Sequence, residues 1–283
     1  MISDYRCFYC LTRSFEKLLE KGDFSSGTKS CFTRDMIRLY DNYWDQLTFP
    51  EFARELHNIL RIHTHIQDPY IEEKKNCNSM ILNNYSEIKQ IVNQSADPFG
   101  SALRFAIAGN ILDYVVNDSS NLTVNISSAV NTQFAIDNSS LLKENLGKAK
   151  MVLYLGDNAG EIVFDKLFIE TINHPNLIYA VRGAPVVNDA TMEDAEYTGL
   201  TNIVKVISNG YDAPSTILNK SDSIFQQYFK EADLIISKGQ GNLEGLLHLN
   251  DNRIFFLLMA KCNVIAEFLK VNKGSFVVYN PAS

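Results

Sequence analysis

Two rhythms of apolar positions divide the chain. Up to about residue 115 the apolar residues recur at helical spacing: Phe15, Leu18 and Leu19, then Met36, Leu39 and Tyr40, then Phe52, Leu56, Ile59 and Leu60. Phe49-Pro50-Glu51 has the form of a helix start, with proline in the first turn. Asp68-Pro69-Tyr70 breaks the pattern before a helical stretch over roughly 70–93. Asp97-Pro98 breaks it again, and Ser101 to Val116 resumes it. Residues 117–140, rich in Asn and Ser, read as a poorly packed connector with at most one short helix.

Beyond the connector the period changes. Met151 to Leu155 is a short continuous apolar run ending in Gly156-Asp157, as expected of a strand buried on both faces. A helix pattern follows from Glu161 to about Ile172, and strand-like runs recur at 177–181, 203–207, 234–237, 254–258 and 276–279. Alternating strands and helices predict an α/β domain with a mostly parallel sheet, helices on both faces, over residues 146–283. A multihelical N-terminal region over 1–145 precedes it. In such sheets ligands bind beyond the C-terminal strand ends, so chemistry is sought there.

Each clear strand end carries a polar cluster. The first gives Gly156-Asp157-Asn158-Ala159-Gly160-Glu161, and the second Arg182-Gly183-Ala184-Pro185 followed by Asn188-Asp189-Ala190-Thr191. Later ones give Lys238-Gly239-Gln240-Gly241-Asn242-Leu243-Glu244 and Ala260-Lys261-Cys262. A single Asp at a helix start is ordinarily a cap. Four clusters converging on one sheet edge point instead to a site. Asp157 and Asp189 offer hard carboxylate oxygens and Asn158 an amide oxygen, a donor set that suits Mg²⁺ or Mn²⁺ and leaves places for water and phosphate. The glycines at 156, 160, 239 and 241 permit close backbone approach, and N–H groups at helix starts make a phosphate cradle.

Charge sharpens this picture. The net charge of −7 and the absence of a basic tract exclude nucleic acid and anionic membranes as main partners. A phosphate-binding acidic protein must then supply positive charge locally, from a metal, a lysine or helix N-termini. Lys261 follows an apolar run that would deliver it to the edge carrying Asp157. No apolar run reaches the roughly 18 residues of a membrane span, and the N-terminus lacks the apolar segment of a secretion signal. The five cysteines fit reduced thiols, so the expected compartment is cytoplasmic.

The strings GDNAGE, RGAPVVNDAT, SKGQGNLE and AKC resemble the DUF89 family of metal-dependent damage-control phosphatases. Cys7-Phe8-Tyr9-Cys10, Asp68-Pro69-Tyr70 with Lys74, and Gly109-Asn110-Ile111-Leu112-Asp113 are similar to motifs of its cysteine-bearing subfamily, so the likeness spans nearly the whole chain. The resemblance implies a Rossmann-like three-layer αβα domain behind a helical portion. It implies a divalent cofactor (Mg²⁺, Mn²⁺, Co²⁺ or Ni²⁺) on Asp157, Asn158 and Asp189, and hydrolysis of a small phosphorylated metabolite. It places phosphate contacts at Gly239, Gln240, Gly241, Asn242 and Lys261. Water and a carboxylate stay open as the nucleophile, with Glu161 and Asp194 as candidates to orient water. Asn110 and Asp113, on one face of an apolar helix, are expected to face the site or brace its loops.

Other signals carry less. In a helix His63 and His65 point to different sides, which disfavours a metal pair. Cys7 and Cys10 have no second pair to complete a zinc site, so packing in the first helix is expected. A haloacid-dehalogenase phosphatase would need Asp where Ala159 stands, and Gly156 to Gly160 is not the dinucleotide-binding pattern. The alternative from another class is a non-catalytic sensor of a phosphometabolite using the same cradle.

Overall fold

The structure, a computed structural model, describes residues 4–109 and 131–282. Helices α1 (Tyr5–Lys21), α2 (Ser26–Tyr43) and α3 (Phe49–Thr64) bury one shared cluster that includes Phe15, Phe32, Phe52 and Leu56. Asp4 caps α1 by accepting from the Arg6 N–H, and Thr48 and Glu51 close a capping box on α3 with Pro50 in its first turn. His65 ends α3 at φ 58°, its backbone N–H donating to the Arg61 carbonyl, and the His63 ring bonds Asp35.

Helices α4 (Ile71–Asn83), α5 (Tyr85–Gln94) and α6 (Pro98–Ala108) behave differently. The stretch read as one helix over 70–93 is broken at Asn84, whose backbone (φ −105°, ψ 3°) leaves the helical region. Ile81, Ile88, Val92, Leu103 and Phe105 join the core beneath the sheet and do not pack with α1–α3.

The remaining elements alternate: β1 (Phe134–Asp137), α7 (Ser139–Lys148), β2 (Val152–Leu155), α8 (Glu161–Ile172), β3 (Leu177–Val181), α9 (Met192–Tyr197), β4 (Lys205–Ser208), α10 (Ser223–Glu231), β5 (Leu234–Lys238), α11 (Gly239–Leu246), β6 (Ile254–Met259), α12 (Asn263–Leu269) and β7 (Phe276–Tyr279). They build one seven-stranded sheet in the order β1-β7-β6-β5-β2-β3-β4. Strands β2 to β6 run parallel, β7 is antiparallel to β6, and β1 is parallel to β7. This is the expected mostly parallel α/β sheet. Strand β1 corrects the reading of 117–140 as connector: its last part is an edge strand, while 117–130 lie outside the described residues.

Side chains alternate across the sheet with the period of two that strands impose. Val152 and Tyr154 face the layer of α4–α6 and α8, whereas Leu153 and Leu155 face α10–α12. Helices cover both faces, which is why every position of β2, β3, β5 and β6 is buried. The order places β2 between β3 and β5, so the chain leaves β2 in one direction and returns on its other side. That reversal is the switch point where open parallel sheets leave a crevice. Among the described residues no helix is long and apolar enough to cross a membrane.

Candidate functional site

The crevice is built from the turns after β2, β3 and β5. The turn after β2 is tied to the one after β3 by an isolated antiparallel bridge between Asn158 and Asp189. Within it the Ala190 N–H donates to the Asp157 carbonyl at 2.8 Å and the Ala159 N–H to the Asn188 carbonyl at 2.9 Å. Arg182 N–H closes the second turn on the Ala190 carbonyl at 3.0 Å, which folds Asp189 back beside Asp157. From the other side α11 begins directly at the end of β5. Gly239 has φ +74°, and a Cβ there would lie 1.9 Å from Asp157 Oδ2. Only glycine lets the Asp157 carboxylate lie against the first turn of α11. The same turn is clamped by Asn242, whose amide donates to the carbonyls of Gly156 (3.1 Å) and Lys238 (2.8 Å).

The acids here are buried, with Asp157 8% and Asp189 3% exposed. Arg182 lies on both, its Nε 2.5 Å from Asp189 Oδ2 and its Nη2 3.4 Å from Asp157 Oδ1. Asn158 donates its amide to Glu161 Oε1 (2.9 Å) and Asp157 Oδ2 (3.2 Å), so its carbonyl oxygen is the atom of that side chain able to act as a ligand. Burial lifts Asp157 well above the usual carboxylate range, the charges of Glu161 and Asp189 lift it further, and Arg182 and Lys261 oppose them. Asp189 is likewise raised by burial against Arg182, Lys74 and Lys261. Burial thus disfavours the charged form of both acids, and a divalent cation bound there would favour it. Among the described residues no three His, Cys, Asp or Glu side chains gather as a metal cluster. The set that fits an ion is two carboxylates and an amide, which keeps coordination places for other oxygens.

Beneath the cluster lies a buried charge network. Lys238, 0% exposed, reaches Glu161 Oε2 at 3.0 Å and Asp165 Oδ1 at 2.6 Å. Asp165 also accepts the hydroxyls of Tyr154 (2.7 Å) and Tyr179 (2.8 Å). These bonds leave Lys238 facing the core, so it supports the crevice floor and does not reach into it.

The structure brings Asp157, Asn158, Asp189, Gly239, Gln240, Gly241 and Asn242 together at one edge. Gln240 Oε1 accepts the Lys261 N–H at 3.2 Å, which joins the loop after β6 to the first turn of α11. Lys261 acts electrostatically on Asp157, Glu161 and Asp189 alike. The Glu161 carboxylate is directed inward to Lys238 and Asn158, and the Asn242 amide is committed to two carbonyls. Asp194 caps Thr191 and is held by Asn78 (2.9 Å) and Lys74 (3.0 Å), the arrangement of a capping group. Asn110 and Asp113 lie outside the described residues. Cys7 and Cys10 depart from the expected helix packing: the buried face of α1 is Leu11, Phe15, Leu18 and Leu19, and both thiols line a cavity beside Lys261. Sequence reasoning gave no role to Arg182, Asp165 or Asn78, whose Oδ1 takes the Gly160 N–H at 2.6 Å.

Fold and site together define a doubly wound α/β protein with a buried acidic turn set against a glycine-opened helix N-terminus. Among known proteins, the damage-control phosphatase ARMT1-like domain matches residues 3–277, and the chain belongs to that family. A damage-control phosphatase of Pyrococcus horikoshii is 33% identical over 279 residues, 96% of either chain. Another, of Archaeoglobus fulgidus, is 33% identical over 254 residues, 87% of this chain and 88% of that one. The crystal structure of a DUF89 family protein from Pyrococcus horikoshii superposes with a TM-score of 0.90 at 31% identity, covering 99% of both chains.

Proposed function

We propose that this chain is a metal-dependent phosphatase, a phosphoric monoester hydrolase acting on a small phosphorylated metabolite such as a sugar phosphate, a nucleotide or a damaged phosphometabolite. The observation that carries the reading is the contact of the Asp157 carboxylate with Gly239 at the start of α11. It sets hard oxygen donors and a helix N-terminus at one point of the switch crevice. The names of the two archaeal relatives support the same activity.

In this reading Asp157, Asn158 and Asp189 would hold Mg²⁺, Mn²⁺, Co²⁺ or Ni²⁺. Such an ion, when bound, supplies neutralisation of phosphate charge and polarisation of the ester. The chain's own residues bind and orient. The N–H groups of Gly239, Gln240 and Gly241 lack intrahelical acceptors and receive phosphate oxygens. Lys261, positioned through Gln240, adds a positive charge on the side of the acids. Arg182 holds Asp189 and Asp157 in register, and Lys238 with Asp165 fixes Glu161 under Asn158. Donors fixed in advance in this way stabilise charge as it develops and need little rearrangement.

The test is phosphate release from a panel of sugar phosphates and nucleotides with each of the four ions and with chelator. Release with at least one ion, lost in chelator, is expected. Ester binding with no release under any ion would replace the enzyme by a sensor.

A further inference from the structure

A cavity of about 370 Å³ opens beside Gln240 and Lys261 and runs between α1, α11 and the loop after β6. That size suits a small ligand. The cavity shares Gln240 and Lys261 with the proposed phosphate contacts, and Arg13 and Lys273 line it as well. Arg6, Cys10 and Arg13 are spaced by four and three residues, and Cys7 precedes Cys10 by three, so these residues share one side of α1.

The charges in this cavity do not cancel. Arg6 is taken up by Asp4 at 2.9 Å and Glu267 at 2.7 Å. Arg13 and Lys273 have no side-chain hydrogen bond or ion pair among the described residues, although both act electrostatically on Cys10. The carboxylate that could offset them is Glu244, but burial pushes its pKa up to about 8, so it is mostly neutral at pH 7. Its Oε2 is buried without a hydrogen-bond partner, although the residue lines the cavity. An exposed arginine or lysine is ordinarily only solvated. Here two of them line a cavity that also carries Lys261, in a chain of net charge −7. Such a concentration of one sign selects ligands of the other.

We propose that this cavity receives the organic part of the substrate and that Arg13 and Lys273 bind a second anionic group on it. The preferred substrate is then a phosphate monoester of a small polyol or sugar that also carries a further phosphate or a carboxylate. Glu244 lines the same cavity, where a neutral carboxyl can hydrogen-bond a hydroxyl of the substrate. This inference rests on the phosphatase reading above.

The test compares kcat/KM for a hexose 6-phosphate, a hexose 1,6-bisphosphate and a 6-phospho sugar acid, in the wild type and in the double variant Arg13→Gln, Lys273→Gln. Both positions are exposed, and circular dichroism checks that the variant is folded. The wild type is expected to prefer at least one doubly anionic ester over the monophosphate by tenfold or more. Whichever is preferred tells phosphate from carboxylate. In the variant the preference should fall to within threefold. A wild type without preference, or a variant that keeps it, overturns the subsite. If no ester is turned over, the same comparison is made by calorimetry with metal present. A tenfold binding preference lost in the variant then upholds the subsite while the phosphatase reading fails, and equal binding overturns the subsite.

Discussion

Lys238→Met removes one ammonium from a fully buried site. Glu161 and Asp165, 1% and 0% exposed, would lose contacts of 3.0 and 2.6 Å with it. Asp165 keeps two tyrosine hydroxyls and Glu161 keeps the Asn158 amide, so each acid remains hydrogen-bonded while the pair loses its counter-ion. Removing one partner of a buried ion pair costs about 3–5 kcal/mol, because the charge left behind is uncompensated. With a shift of roughly 2–4 °C per kcal/mol for a domain of this size, Tm should fall by about 6–20 °C. Urea unfolding followed by circular dichroism, at constant m-value, measures the loss. Changing the acids as well (Glu161→Gln with Asp165→Asn) should recover at least half of it. The sign with pH follows from linkage. Burial already holds the Glu161 carboxyl above its ordinary value and Lys238 opposes that rise, so without Lys238 it rises further, and the native state holds more protons and loses stability as pH rises. The deficit should therefore shrink as pH falls towards 5. A loss below about 1 kcal/mol at pH 7, or a deficit that grows on acidification, would refute this account of the crevice floor.

Lys261→Met keeps the stem and removes the charge, and should reduce kcat/KM by roughly 2–4 kcal/mol of transition-state stabilisation with metal affinity little changed; a change under about threefold would show that Lys261 does not reach the phosphate. Gly239→Ala places a Cβ 1.9 Å from Asp157 Oδ2 at a φ of +74°, so calorimetry should show weakened metal binding and assays a loss of turnover on the order of a hundredfold. Glu244, raised to about 8 from an ordinary value of 4.5, keeps its proton in the native state between those pH values while the unfolded chain loses it. Stability thus falls with rising pH across that window, by at most ~1.4 kcal/mol per unit. Glu244→Gln should remove that slope, so its urea midpoint relative to wild type rises between pH 6 and pH 8.5.

The sheet was legible because its inner strands β2, β3, β5 and β6 are buried on both faces and read as largely apolar runs. Strand β1 left no such mark: it is a four-residue edge strand with only half-buried and exposed positions, embedded in Asn- and Ser-rich sequence. Asp157, Asp189 and the Gly239 turn were visible because strand ends in a parallel sheet converge. Arg182 stood in a quoted motif, yet its role depends on the turn from 182 to 190 folding back on itself. Asn78 and Lys74 reach the crevice from α4, across 82 residues to Gly160 and 120 to Asp194, and no local pattern encodes such a contact. Asp165 follows Glu161 by four residues on α8, so their shared face could have been read from spacing alone.

The claim that Asp157 and Asp189 hold the catalytic ion is tested most directly by Asp157→Asn and Asp189→Asn, each measured for metal binding by calorimetry and for phosphate release from one ester. Asparagine keeps the shape and removes the charge, so both proteins should fold, bind the ion at least tenfold more weakly and release phosphate at less than about one hundredth of the wild-type rate. Wild-type affinity and turnover in both variants would contradict the assignment.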